Sequence, residues 1–301
     1  MSVKGQHFFS GRRIHVLGAG YLGRAVVEHC LAMGAHVTAL SRNAESCGQL
    51  RALGIRVLQA ELASDSWHEA AGPADFVLVC VGGGGGGPEA YRDSYVGGLA
   101  SVRRWLARFP ADTLVYTSST SVYPQGDAQV VTEDMPVAAL GEDGPGLLVQ
   151  AENSIQGFIT GLRRSFVLRL AGIYGPGRHG FLDRLRDKPE MLPGESSGHL
   201  NVIHRDDIVS AVLACWSAPA SVPGQVFNLA DEGRATRGEI AAWLARRVGI
   251  STTHFTGALT PGRRRLTPDR IVSADRIRGY LGWRPEYPSF REGYESLLRG
   301  S

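Results

Sequence analysis

Gly18, Gly20 and Gly23 are spaced as G-x-G-x-x-G directly after a short apolar run, Arg13–Leu17. Glycine at the first position permits a tight turn. At the second it lets backbone approach an anion, and at the third it lets a helix pack closely on a strand. Leu22, Val26, Val27, Cys30 and Leu31 then recur at helical spacing. A helix opening there offers N–H groups and partial positive charge to a phosphate. The pattern therefore suits a diphosphate held by Gly18, Gly20, Tyr21, Leu22 and Gly23. The next strand, His36–Leu40, runs into Ser41-Arg42-Asn43 without an acid. A carboxylate at this point accepts from a free ribose hydroxyl, whereas an arginine pairs with a 2′-phosphate. Ser41 and Arg42 thus predict NADP, with NAD the less expected cofactor.

Two more strand ends carry candidate cofactor contacts. Phe76–Val81 runs into six glycines, Gly82–Gly87, of which Gly82 and Gly83 are expected to approach the cofactor. Thr113–Thr117 leads into Ser118, and Thr117 and Ser118 are expected beside the dinucleotide. Glu61-Leu62, after the strand Ile55–Leu58, would flank the adenine.

These residues need a scaffold of alternating strands and helices. Helices are expected over Ser46–Leu53, Leu99–Phe109 and Gly146–Leu162, with a sixth strand at Phe166–Leu170. Gly34 suits the end of the first helix. The rhythm predicts an α/β fold, a Rossmann-type doubly wound parallel sheet with a smaller C-terminal substrate lobe. Residues 1–174 would form the dinucleotide-binding domain. Residues 175–301 would be mainly the substrate lobe, with about 201–230 returning to the sheet. Further elements are expected at Asp206–Trp216, Val226–Leu229 and Gly238–Val248.

Bulk properties narrow the function classes. The chain has 301 residues, 43% hydrophobic and 20% charged, as in a soluble globular enzyme. A net charge of +3 is too small to point to nucleic acid. The four cysteines are far apart, so neither a metal site nor a disulfide framework is expected. No apolar run is long enough to span a bilayer, and no signal peptide is seen, so a cytoplasmic location is expected.

Several segments together resemble the short-chain dehydrogenase/reductase superfamily, in its extended, NAD(P)-dependent epimerase/dehydratase-like branch. They are Gly18–Gly23, Tyr116–Tyr123, Arg169–Arg178, Asn201–Asp207, Val226–Asp231 and Leu281–Pro285. The resemblance implies a serine that holds the reacting oxygen, and Ser119 is its equivalent. It also implies a Tyr with a Lys four residues later, which moves a proton while hydride moves to or from the cofactor. It further implies a Glu four residues beyond that Lys; Glu152 resembles this acid, and counting back from it puts Gly144 and Leu148 in the Tyr and Lys places. Tyr-x-x-x-Lys occurs nowhere in the chain, whose two lysines are Lys4 and Lys188. Tyr123, His204 and His179 are candidates to take over the proton, since a histidine near neutral pKa can exchange one. Asp206 or Asp207 is expected to cap the helix behind His204.

On the substrate side, Arg178, His179 and Arg205 are the candidate contacts. Arg263–Arg265 and Arg270 are further cations for a diphosphate or carboxylate. Tyr91 and Tyr95 would line the cleft. The expected function is an oxidoreductase or epimerase/dehydratase-like enzyme acting on a small polar, sugar-like or nucleotide-sugar substrate. A non-catalytic NADP-binding sensor or scaffold is the alternative, favoured by the missing Tyr and Lys. A homodimer through the helices beside the fifth strand is expected by analogy.

Overall fold

The computed structural model describes residues 7–82, 87–258 and 268–299. Short apolar runs become strands and amphipathic runs become helices, in strict alternation at first. β1 (Arg13–Leu17), α1 (Tyr21–Ala32), β2 (His36–Ser41), α2 (Ala44–Arg51), β3 (Arg56–Gln59) and β4 (Phe76–Val79) lead to α3 (Gly98–Arg108) and β5 (Ala111–Ser119). β6 (Gln129–Val131), α4 (Gly144–Ile155), β7 (Leu162–Leu170) and β8 (Gly172–Tyr174) follow. Then come α5 (Phe181–Asp187), β9 (Val202–His204), α6 (Arg205–Ser217), β10 (Val226–Leu229), α7 (Arg237–Val248), β11 (Arg270–Val272), α8 (Asp275–Leu281) and α9 (Phe290–Arg299).

Seven strands form one sheet in the order β10-β7-β5-β4-β1-β2-β3. The β1/β2, β1/β4, β2/β3 and β4/β5 registers are parallel. The bonds Val167 N–H to Gln225 O and Ala171 N–H to Leu229 O advance together, so β10 runs the same way. Order reverses beside β1, the point at which such sheets open a crevice at their carboxyl edge. All four residues of β4 are buried, as expected of a central strand covered on both faces.

Several boundaries differ from expectation. α2 begins earlier because the Asn43 side chain accepts from Ser46 N–H and caps it. The helix expected to reach Leu162 stops at Ile155. Gly157, with a φ of +81°, breaks it, and Leu162 already opens β7. The three-residue strands β6, β8, β9 and β11 were not anticipated; they pair as β6/β11 and β8/β9.

Backbone contacts divide the chain into two compact units. The first comprises Met1–Val122, Val137–Arg169 and Val209–Phe227. The second comprises Tyr123–Pro136, Leu170–Ile208 and Asn228–Ser301. The second unit has its own core, with Tyr174, Leu185, Ile240, Leu244, Phe290 and Tyr294 buried together. Its helix α7 starts on a capping box, Thr236 with Glu239, and ends at Gly249 in the left-handed region.

Candidate functional site

In the first unit, the glycine loop curls onto the end of β2. Gly18 and Ala19 N–H both donate to Leu40 O, at 3.0 and 2.9 Å. Gly18 has a φ of +104°, and a Cβ there would lie 2.8 Å from Cys80 O. A Cβ on Gly23 would lie 2.5 Å from Gly18 O and 3.1 Å from Val16 Cγ1. These two glycines are therefore required by packing. The Cys80 thiol donates to Gly18 O at 3.0 Å, and burial pushes that thiol up to about 12, keeping it a donor. Gly20 is different: a Cβ there would meet nothing within 4 Å. It caps α1 without a side-chain hydrogen bond, and the first turn holds no acid. The loop thus presents bare backbone and a helix N-terminus to open space, which fits a diphosphate.

At the end of β2, Ser41 is buried and its hydroxyl accepts from Asn43 N–H at 3.3 Å. Arg42 is partly exposed, with Glu61 3.6 Å away. So the acid placed near the adenine by sequence instead faces the arginine placed near the ribose. Leu62 is buried, with its carbonyl accepting from Trp67 Nε1. Gly82 is exposed after β4, and Gly83 lies outside the described residues.

The end of β5 separates three neighbouring hydroxyls. Thr117 is buried, with its Oγ1 3.5 Å from Val79 O. Ser118 is buried too and donates to Glu152 Oε1 at 2.5 Å. This removes the Ser118 hydroxyl from the expected cofactor contacts, because its proton is held inside the fold. Glu152 in turn pairs with Arg169, at 2.7 Å from Nη2, and both side chains are almost fully buried. Ser119 is half-buried, and its Oγ accepts from Ser121 N–H at 3.1 Å. That bond uses a lone pair and leaves the hydroxyl proton for another acceptor.

The places of the absent Tyr and Lys are on α4. Leu148 is buried, and Gly144 has no side chain. A Cβ on Gly144 would lie 3.7 Å from the Tyr91 ring and 3.8 Å from its hydroxyl oxygen. Tyr91 is half-buried and packs on buried Tyr95, with ring centroids 4.5 Å apart.

The second unit corrects two proposed proton carriers. Tyr123 is buried; its hydroxyl donates to Asn228 Oδ1 at 2.8 Å, and its carbonyl accepts from Arg270. A phenol so enclosed keeps its proton on Asn228, and the Arg270 guanidinium is buried against the Tyr123 carbonyl. His204 is also buried. Its Nδ1 accepts from Asp206 N–H at 3.3 Å, and its ring lies against Tyr174 and Tyr287. Burial pushes it down to about 4, so it is neutral at physiological pH and no longer suited to proton exchange there. His179 is more exposed and pairs with Asp183 at 3.0 Å. Arg178 closes a turn with Gly175, and Arg205 pairs with Asp206 at 2.8 Å. Arg263–Arg265 lie outside the described residues.

Asp207 is not a helix cap. Its carboxylate accepts from Glu286 and Tyr287 N–H, at 2.6 and 3.3 Å, tying α6 to the segment before α9. Burial pushes it up to about 6 and pushes Asp231 up to about 7. Both exceed the ~3.9 of an unfolded aspartate, so the native unit binds protons more tightly than the unfolded chain. Their stabilising contribution is complete below about pH 4 and is lost as pH rises through about 6 to 7. Asp231→Asn is expected to raise stability at about pH 8 by on the order of 2–4 kcal/mol and to flatten its decline above about pH 5. Thermal melts across that range check this; a lower midpoint for the variant at about pH 8 refutes it.

Residues 14–143 match the model of the NAD dependent epimerase/dehydratase family. That stretch of the chain is similar to this family. Protein YeeZ of Escherichia coli K12 is 27% identical over 286 residues, covering 92% of this chain and 97% of its own. A 3-diazoavenalumate denitrifying reductase of a Streptomyces species is 28% identical over 184 residues, 56% of this chain and 59% of its own. Among solved structures, UDP-glucuronic acid 4-epimerase of Bacillus cereus, in complex with UDP-glucuronic acid and NAD, superposes with a TM-score of 0.78. It is 19% identical, with 95% of this chain and 98% of that one covered, a likeness of fold. Within the family segment lie the glycine loop, Arg42, Tyr91 and Ser119.

The sequence held a signal for the Ser118–Glu152–Arg169 network. Glu152 interrupts the mostly apolar helix Leu147–Ile155, and Arg169 interrupts Phe166–Leu170. A charge inside an otherwise buried run requires a partner, and two such charges point to each other. Among the described residues, no His/Cys/Asp/Glu group could hold a metal and no helix is long and apolar enough to cross a membrane.

Proposed function

We propose that the chain is an NADP-dependent oxidoreductase or epimerase-like enzyme acting on a small polar, sugar-like substrate. The open face of Gly20, in a loop whose other glycines are fixed by packing, carries this proposal. The bound nicotinamide would give or take hydride at a carbon bearing the reacting oxygen. Ser119, with its hydroxyl proton free to turn outward, holds that oxygen. Tyr91 exchanges the proton, because it is the half-buried phenol standing against the side-chain-less Gly144. The match to the family model supports nicotinamide chemistry, and the similar fold solved with a nucleotide sugar supports the substrate class.

The first test is NADPH oxidation against a panel of aldehydes, ketones and nucleotide sugars. Tyr91→Phe is expected to lower kcat by roughly a hundredfold or more while leaving dinucleotide affinity unchanged. An unaltered kcat removes Tyr91 from the chemistry. Arg42 is the specificity residue of the proposal. Arg42→Ala is expected to weaken NADP roughly tenfold and leave NAD binding as it was, measured by calorimetric titration. Equal affinity of variant and wild type for NADP would sink the preference.

One observation favours binding without turnover: Leu148 is buried and apolar where a lysine would act. Saturable NADP binding with no oxidation across the whole panel would select that alternative.

A further inference from the structure

At the amino edge of the sheet, opposite the glycine loop, the first unit has a cavity of about 560 Å³. Its floor is unusual for this fold. Strands buried on both faces of a doubly wound sheet read as continuous apolar runs. β1 and β2 instead alternate, as Arg13-Ile14-His15 and His36-Val37-Thr38. Register places His15, Thr38 and Arg56 in one row across β1, β2 and β3, and Arg13 beside His36 in the row before it. One face of three adjacent strands therefore carries two arginines, two histidines and a threonine. The crossover between β3 and β4 contains only the one-turn helix His68–Ala71, which covers His15 and leaves His36 and Arg56 exposed. The apolar sides of the cavity come from Leu31, Ile55 and Pro73.

The charges are unevenly satisfied. Arg13 is tied to Asp75, with Nη2 3.0 Å from Oδ1. The side chains of Arg56 and His36 make no hydrogen bond or ion pair with the described residues, although the His36 backbone N–H donates to Arg12 O. His15 is 2% exposed; its Nε2 donates to Ala71 O at 3.1 Å, so Nδ1 is an acceptor, and it is buried without a partner. The local field is positive. Burial lowers His15 to about 4, and Arg13 and Arg56 both contribute to the depression against the opposing pull of Asp75.

We propose that this cavity binds a small amphipathic anion, an aryl or alkyl carboxylate or phosphate ester. Its acid group lies at Arg56, His36 and Thr38, and its apolar body lies on Leu31, Ile55 and Pro73. The site is separate from the dinucleotide loop, at the other end of β1.

The test uses the full chain with saturating NADP and 8-anilinonaphthalene-1-sulfonate as a fluorescent probe. The expected result is saturable binding at one site, displaced by benzoate and not by inorganic phosphate. Arg56→Gln, on an exposed side chain, is expected to weaken it at least tenfold. Thr38→Phe fills the centre of the floor and is expected to abolish it, with thermal melts confirming that both variants fold. Unsaturable fluorescence, or titrations identical to wild type in Arg56→Gln, would overturn the site. Displacement by phosphate alone would overturn the amphipathic ligand class.

Discussion

Gly20→Asp is expected to cut dinucleotide affinity roughly a thousandfold while the apo protein keeps its thermal midpoint to within about 2 °C. The two halves of this outcome have separate causes. A carboxylate about 4 Å from a phosphate at a protein surface costs about 4 kcal/mol, which is the thousandfold. Stability is spared because nothing lies within 4 Å of the new Cβ, and the φ of −82° is outside the left-handed region. Gly23→Ala makes the control. Its Cβ would collide with Gly18 O, so it is expected to lower the midpoint as well as the affinity. Calorimetry with NADP and thermal melts read both quantities. If Gly20→Asp binds NADP like wild type, the cofactor does not sit on this loop.

Glu152→Ala is expected to cost about 3–5 kcal/mol of stability. The loss comes less from the vanished attraction than from what remains. Arg169 would keep its charge in the interior, with side-chain exposure of 6%, and Ser118 would lose its acceptor. Replacing both partners, as Glu152→Gln with Arg169→Met, is expected to recover much of the deficit because no bare charge is left behind. Chemical denaturation of the single and double variants measures the coupling. A double variant no more stable than Glu152→Ala would show that the pair is not the source of the loss.

What the sequence made visible was local. The glycine loop, β1 and α1 are contiguous, and each glycine's job follows from spacing along twelve or so residues. The strands β4 and β5 were visible because apolar runs bounded by breakers have few other fates. Family resemblance in separate motifs then fixed the order of the rest. Burial was not visible in the same way. Tyr123 was a candidate because it follows the serine loop of β5, and His204 because a histidine can exchange a proton, yet their spatial neighbours, Asn228, Tyr174 and Tyr287, come from distant segments. A histidine's usefulness as a proton carrier depends on desolvation, which is a property of packing. The ladders β6/β11 and β8/β9 are three residues long on each side, too short for periodicity to register. Tyr91 acquires its interest only from standing against Gly144, some fifty positions away.

The interleaving of the two units has a consequence during synthesis. The first unit draws its last segment from Val209–Phe227, so about three-quarters of the chain must leave the ribosome before that unit is complete. β10 closes the outer side of β7, and until it arrives the nine-residue edge of Leu162–Leu170 has no neighbour there. An unpaired edge of that kind is where nascent chains associate with one another. Translation pauses between the codons for β7 and β10 would therefore lengthen the interval in which that edge is unpaired.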